Sequence, residues 1–271
     1  TSALINVFTN LFIGVSLGTN VLAARFYASG REKEMSETVH TSLTFALISG
    51  IVMSFVGLFC SRGALELMAT PEDVIGQAAL YMKIYFLGMP FFMLYNYGAA
   101  VLRAVGDTKR PLYFLVVSGI LNAGLNMFLV IVFHMGVEGC GYATVIAQAI
   151  SALLCLVYIA KKFPILRLSE EDFRISFQSM GRLLALGIPM GLQYSITAIG
   201  TMMVQSSLNI LGSTLVAAYT AAGKIEQVVT QAYGAMGTTM ATYGAQNMGA
   251  GSVKRIREGF KACTIVGVVY S

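Results

Sequence analysis

Charged residues are scarce in this sequence. Asp, Glu, Lys and Arg make up 11% of its 271 residues, whereas apolar residues make up 56%. Soluble proteins of this size carry roughly a quarter charged residues. The scarcity argues against a cytosolic enzyme and against a nucleic-acid-binding protein. The formal net charge of +5 therefore needs another explanation, and we expect no nucleic-acid partner.

Residues that bind metals or form disulfides are also few. The two histidines stand singly, and the four cysteines show no paired spacing, so neither a metal site nor a disulfide framework is indicated. We also find no nucleophile or acid–base pair that would indicate an enzyme, and we expect no cofactor. The cysteines are Cys60, Cys140, Cys155 and Cys263.

Long apolar runs take up most of the chain. A membrane-spanning helix needs about 20 apolar residues, and runs of this kind predict an all-α polytopic membrane helix bundle. The first and last runs reach the ends of the sequence, so we expect both to be truncated spans. The predicted apolar segments lie near 1–26, 39–60, 76–103, 111–134, 141–161, 183–211, 213–246 and 258–271.

Basic residues concentrate in alternate loops. Fifteen of the 18 Lys and Arg residues lie near 25–33, 103–110, 161–182 and 254–261. Because cytoplasmic loops of membrane proteins are enriched in Lys and Arg, these loops are predicted to be cytoplasmic. Lys83 and Lys224 lie within predicted spans.

An internal repeat indicates two halves. Residues 7–43 align with 228–264 at a constant offset of 221, with a long span, a Gly-containing basic turn and a second span in each copy. We therefore expect three parts: a first lobe at 1–162 that lacks its first helix, a cytoplasmic linker at 163–182, and the start of a second lobe at 183–271.

Several motifs together resemble one transporter family, the MATE (multidrug and toxic compound extrusion) family. The resemblance covers essentially the whole chain. It rests on Gly88-Met-Pro90, Leu102-Arg-Ala-Val-Gly-Asp-Thr108, the pair Asn122 and Asn126, Gly139-Cys-Gly-Tyr-Ala-Thr-Val-Ile-Ala-Gln148, Gly187-Ile-Pro-Met-Gly-Leu-Gln193, and the segment from Ala241 to Gly251.

This resemblance implies a fold and a function. The fold would have twelve helices in two six-helix lobes related by an approximate twofold axis, of which this sequence would cover the second to eighth and the start of the ninth. The function would be antiport: export of drug-like, often cationic, xenobiotics in exchange for sodium ions or protons. We expect a monomeric, multi-pass protein in the plasma membrane, the inner membrane in bacteria, with the lipid bilayer as its surroundings.

The resemblance also implies a cation site. Family members with a cation site in the first lobe build it from an Asn and an Asp on one helix, a Thr on the next, and an Asp on the first helix. Asn122, Asn126 and Thr144 fall on the first three positions, with Asn126 in place of the Asp. The alternative is that these amides hold neighbouring helices together, as polar side chains often do in membrane bundles.

Glu226 is the only acid that we place deep within a span. Such residues usually face a bundle interior or a wet cavity, so we place Glu226 and the nearby Lys224 in a substrate cavity. The alternative is an ion pair between Glu226 and Lys83 on another helix. Gln193 is a further cavity residue that could instead bond a neighbouring helix.

Two prolines, Pro90 and Pro189, interrupt predicted spans. Proline removes a backbone donor and bends a helix, so each predicts a kink, which could serve conformational change or packing.

Two other functions remain open. A lipid-linked oligosaccharide flippase shares the helix architecture, but it usually needs a more basic central cavity. A non-transporting membrane scaffold would not need amides or an acid inside its spans.

Overall fold

The computed structural model describes residues 2–67, 72–163, 176–209 and 213–271. Helices make up nearly all of these ranges, and no strand occurs within them. The all-α prediction is confirmed. The helices are α1 (Ser2–Ala28), α2 (Glu32–Leu67), α3 (Glu72–Leu87), α4 (Met89–Ala104), α5 (Lys109–Met127) with a π-helical continuation (Phe128–Val132), α6 (Gly136–Lys162), α7 (Phe177–Asn209), α8 (Ser213–Gly249) and α9 (Val253–Tyr270).

Most of these helices have the length and composition of membrane spans. Within the described residues, α1, α2, α5, α6 and α7 are each long and apolar enough, and α3 with α4 adds a sixth if the bent pair is one span. The predicted spans near 213–246 and 258–271 also form helices, but within the described residues neither is apolar enough to be counted as a span. Helix α8 is rich in Gly, Thr and Gln, and α9 begins with a cluster of charges. The predicted membrane helix bundle is confirmed.

Helix α4 lies at the centre of the packed helices. Met89, Met93, Tyr97 and Leu102 on this helix are completely buried, and α4 contacts α1, α2 and α6. The Tyr97 ring packs on Phe45 of α2, with ring centroids 6.2 Å apart. Large apolar side chains on α4 therefore form the centre of the packing in the first half of the chain.

The span around Pro90 is bent. Helices α3 and α4 meet at 46° across Gly88, and Pro90 lies in the first turn of α4. Proline fits there because the N–H groups in the first turn of a helix have no intrahelical acceptor, so the N–H that proline lacks is not missed. Pro189, by contrast, lies inside α7, which continues through it as one helix.

The turns at the ends of α1 and α8 have the same backbone structure. Gly30 and Gly251 have φ of 66° and 71°, a left-handed conformation that glycine adopts without strain. Three backbone hydrogen bonds close each turn, and those around Gly30 recur around Gly251 at an offset of 221 residues. The spacing of the predicted sequence repeat thus recurs in the backbone geometry.

Helix α7 packs closely along α1. Gly14 lies against Gly191, and a Cβ on Gly18 would come within 2.9 Å of the Gly187 Cα atom. Glycines four residues apart on both helices allow this approach, as in other membrane helix pairs.

The predicted linker is only partly described. Helix α7 begins at Phe177 rather than near 183, because the polar residues at its start continue the helix. The linker residues 164–175 lie outside the described residues, and the division into lobes stays a prediction.

Candidate cation and substrate sites

Three predicted cation-site residues meet between α5 and α6. The Asn122 side-chain amide donates a hydrogen bond to the Thr144 hydroxyl at 3.3 Å. One turn further along α5, the Asn126 amide donates to the Asn122 side-chain oxygen at 3.1 Å. Thr144 itself donates to the backbone oxygen of Cys140 at 2.9 Å. The four-residue spacing on α5 places both amides on one helix face, and we call these three residues the amide cluster.

Irregular backbone follows the amide cluster. After Asn126, α5 continues as the π-helical turn Phe128–Val132, a local form that is often found at functional sites. His134 and Gly136 then adopt φ of 53° and 57°, which reverses the chain into α6. Gly139 lies against Leu129 and Met135 at this reversal. The close return of α6 is what brings Thr144 to the level of Asn122.

One oxygen of the amide cluster has no partner. Asn126 Oδ1 is buried and accepts no hydrogen bond. A buried acceptor left unsatisfied is unfavourable by about 1–3 kcal/mol. Each side-chain nitrogen of the cluster donates one hydrogen bond within it, whereas the Asn126 oxygen is left without a partner.

Further polar residues continue along the same helices. Ser118, one turn before Asn122, donates to the backbone oxygen of Ala147 at 2.7 Å. Gln148, one turn after Thr144, interacts with Tyr85 of α3. The sequence prediction missed Ser118 and Tyr85, although the spacing 118, 122 and 126 is a signal that could have found Ser118.

The amide cluster contains no carboxylate, imidazole or thiol. Its side-chain oxygens are two amide oxygens and one hydroxyl oxygen, a type of group that suits a hard cation and cannot take up a proton near neutral pH. Elsewhere in the described part of the chain, no group of three or more His, Cys, Asp or Glu residues could hold a metal ion.

Comparisons with known proteins identify the family. Residues 1–128 match the MatE family model. The chain is 31% identical over 256 residues to the probable multidrug resistance protein YpnP of Bacillus subtilis (strain 168), a match that covers 92% of this chain and 56% of that protein. It is 30% identical over 253 residues to the probable multidrug resistance protein YoeA of the same organism, covering 91% and 55%. The chain belongs to the MATE family.

A solved structure shows the same MATE fold. A MOP superfamily transporter from Pyrococcus furiosus superposes with a TM-score of 0.89 at 21% identity, covering 99% of this chain and 61% of that one. MATE proteins are multi-pass membrane proteins and form a family of transporters rather than enzymes. The chain spans about half the length of the curated relatives it matches.

A second polar cluster joins α1, near the start of this MATE chain, to α4 and α8. On α1, the Asn20 amide donates to the Ala100 backbone oxygen of α4 at 3.0 Å, and its oxygen accepts from the Thr242 hydroxyl of α8 at 2.7 Å. One turn along α8, Gln246 donates to the Ala104 backbone oxygen at 2.9 Å. We call Asn20, Thr242 and Gln246, with these two backbone oxygens, the latch. It lies near the turns predicted to be cytoplasmic.

The predicted substrate-cavity residues lie apart from the amide cluster. Glu226 and Lys224 are exposed on α8, and Gln193 is exposed on α7. Within the described residues, α5 and α6 make no extensive contact with α7 or α8. Glu226 forms no ion pair with Lys83 in this part of the chain, so the structure does not contain the predicted alternative pairing.

Proposed function

We propose that the full-length protein is a secondary antiporter that exports drug-like, often cationic, compounds in exchange for sodium ions. The names of the two Bacillus relatives support drug export, and membership of the MATE family supports transport. We propose this function for the full-length protein, because this chain spans about half the length of its relatives. We expect the full-length protein to act as a monomer in the plasma membrane.

The unpaired oxygen of Asn126 is the observation that carries the coupling proposal. The amide cluster also contains the Asn122 oxygen and the Thr144 hydroxyl, so it offers three uncharged oxygens, of which the Asn126 oxygen accepts no hydrogen bond. A sodium ion satisfies such oxygens directly, whereas a proton needs a group that titrates. We therefore assign the amide cluster to sodium.

The position of the latch supports one side of the membrane as the side from which sodium reaches the amide cluster. The amide cluster begins 13 residues into α5, about 20 Å from its basic end at 1.5 Å per residue. The latch joins α1, α4 and α8 at that basic end. With this end closed, sodium reaches the cluster from the opposite side, the direction required for inward sodium flow.

Sodium is exchanged for substrate if these two ligands favour different conformational states of the protein. A ligand shifts a conformational equilibrium only through its different affinities for the two states. Sodium in the amide cluster would favour the arrangement in which the latch is closed, and substrate would favour the other. Glu226, exposed on α8, would supply the negative charge that attracts a cationic substrate.

Transport in membrane vesicles tests the proposal. Inverted vesicles from a pump-deficient bacterial strain expressing the full-length protein are loaded with sodium or with choline and given a fluorescent cationic drug. An imposed sodium gradient should drive drug accumulation, and vesicles without the protein should show none. Accumulation that follows only a proton gradient would contradict sodium coupling, and no accumulation under either gradient would contradict antiport.

A further inference from the structure

A groove between α2 and α3 contains two cations. Arg62 of α2 and Lys83 of α3 line a cavity of about 390 Å³. The remaining wall is formed by small and apolar residues, Ile75, Gly76, Ala79 and Leu80. None of these residues belongs to the amide cluster, the latch or the exposed part of α8.

The groove opens on an apolar outer face. Along α2, Val52, Phe55 and Phe59 are 53%, 58% and 82% exposed, and their spacing places them on one helix face that continues to Arg62. Lys83 is flanked on its own helix face by the exposed Leu80 and Leu87. Apolar side chains exposed on membrane helices are suited to contact with acyl chains, so the groove combines positive charge with an apolar face.

Arg62 lies at the depth of lipid headgroups, and the Lys83 backbone lies nearer the middle of the membrane. The apolar run at 39–60 places Arg62 about 19 Å from its midpoint, beyond the ~15 Å half-thickness of the hydrocarbon layer. Ser54 donates to the Phe86 backbone oxygen at 2.6 Å. This contact fixes the register of the two helices and places the Lys83 backbone about 11 Å from the midpoint. The long Lys83 side chain can extend outward along apolar surface to reach the headgroup layer.

The charges in the groove are only partly balanced. Arg62 pairs with Glu66 at 3.0 Å, but both side chains are more than half exposed, so this pair contributes little. Lys83 forms no ion pair or hydrogen bond in the described part of the chain. A lysine within a membrane span is unfavourable unless a partner or water stabilises its charge.

We propose that this groove binds the phosphodiester headgroup of an anionic phospholipid. Arg62 would bind phosphate oxygens with its planar guanidinium group, and Lys83 would approach the same phosphate from the hydrocarbon side. Acyl chains would lie along Phe59 and Leu87. A free phosphate ion offers the same phosphate oxygens but nothing for these apolar side chains, which favours the lipid.

Lipid retention by the full-length protein tests this site. Protein purified in detergent is incubated with phosphatidylglycerol or phosphatidylcholine, and retained lipid is counted by native mass spectrometry. The double variant Arg62→Gln with Lys83→Gln should retain about tenfold less phosphatidylglycerol, from the attraction of two basic residues for anionic lipid. The control, Lys161→Gln with Lys162→Gln, removes two exposed charges at the end of α6. It should retain as much phosphatidylglycerol as the wild type.

Several other results would contradict the proposed lipid site. Equal retention of phosphatidylglycerol by the double variant and the wild type would overturn the site. So would equal retention of phosphatidylcholine and phosphatidylglycerol by the wild type. If labelled inorganic phosphate binds the lipid-free wild type and is lost in the double variant, the ligand is a free anion and the lipid proposal is wrong. If the double variant does not fold, the exposed Arg62→Gln alone should reduce retention severalfold, and unchanged retention in it would contradict the site.

Discussion

The Thr242 hydroxyl donates a 2.7 Å hydrogen bond to the side-chain oxygen of Asn20, although 222 positions separate these residues in the sequence. Asn20 is 1% exposed, and its amide nitrogen is also engaged, with the Ala100 backbone oxygen. One buried side chain therefore joins three helices. Because the bond connects the start of the chain to α8, it must break if α8 separates from α1 and α4.

Loss of the latch should open the basic end of the protein. Asn20→Leu removes both bonds of this side chain, which weakens the closed state by about 1–3 kcal/mol and should speed opening roughly tenfold. The measurement is thiol labelling of a cysteine introduced at Ala104, in a background without the native cysteines.

Ser16→Ala is the control for this substitution. Ser16 is as buried as Asn20, at 1% exposure, but its hydroxyl donates only to Ile13 of its own helix. It should leave the labelling rate unchanged. Equal labelling rates in Asn20→Leu and the wild type would show that the latch does not hold the closed state.

The glycine contact between α1 and α7 should be sensitive to one methyl group. Gly14→Ala places a Cβ against the Gly191 backbone, and the helices must separate. Such overpacking lowers stability by about 1–3 kcal/mol, which a thermal unfolding curve of the purified protein would show. Gly63→Ala on α2 meets nothing within 4 Å and should raise stability by about 0.5–1 kcal/mol. Unchanged or increased stability in Gly14→Ala would contradict the close packing.

The sequence was sufficient to predict most of the spans, because each must contain a long apolar run. The predicted run at 111–134 corresponds to α5 and its π-helical continuation, Lys109–Val132. Helix α6 begins at Gly136 rather than near 141, because the Gly-rich residues 136–141 form its first turns. The amide cluster was also predictable, from two amides one turn apart and a motif that matches the family.

The contacts between distant segments were not predictable. Thr242 belongs to the motif from Ala241 to Gly251, but Asn20 belongs to none, and the sequence around Asn20 reveals nothing about Thr242. Gly14 and Gly18 are spaced like a helix contact, but spacing alone does not identify α7 as the partner. Such pairings depend on the packing of the whole bundle, which one sequence does not encode locally.

Glu226 should affect transport rather than folding. Glu226→Gln removes a negative charge that has no ion pair with Lys83, so protein abundance should stay the same. Resistance to cationic compounds should fall in a pump-deficient strain, while resistance to a neutral substrate should change less. Glu138→Gln, an exposed acid in the first turn of α6, serves as the control and should keep full resistance. If Glu226→Gln keeps normal resistance to every cationic compound, Glu226 does not take part in binding cationic substrate.

The basic turns should face the cytoplasm. A cysteine introduced at Lys33, beside Gly30, should resist an impermeant thiol reagent in intact cells and react once the cells are permeabilised. A cysteine introduced at Glu138, at the opposite end of the helices, should react in intact cells. The reverse pattern would show that the orientation is inverted.

Sodium binding at Asn126 is measured most directly by thermal unfolding of the purified full-length protein in choline buffer as sodium is added. A ligand that binds only the folded state raises its stability with concentration. The wild type should show a saturable, sodium-specific rise in unfolding temperature, and Asn126→Leu should lose it. Asn96→Leu is the matched control, because Asn96 is a partly buried amide that donates only to Phe92 of its own helix at 2.8 Å, and it should keep the rise. An equal sodium-dependent rise in Asn126→Leu and the wild type would contradict a sodium site in the amide cluster.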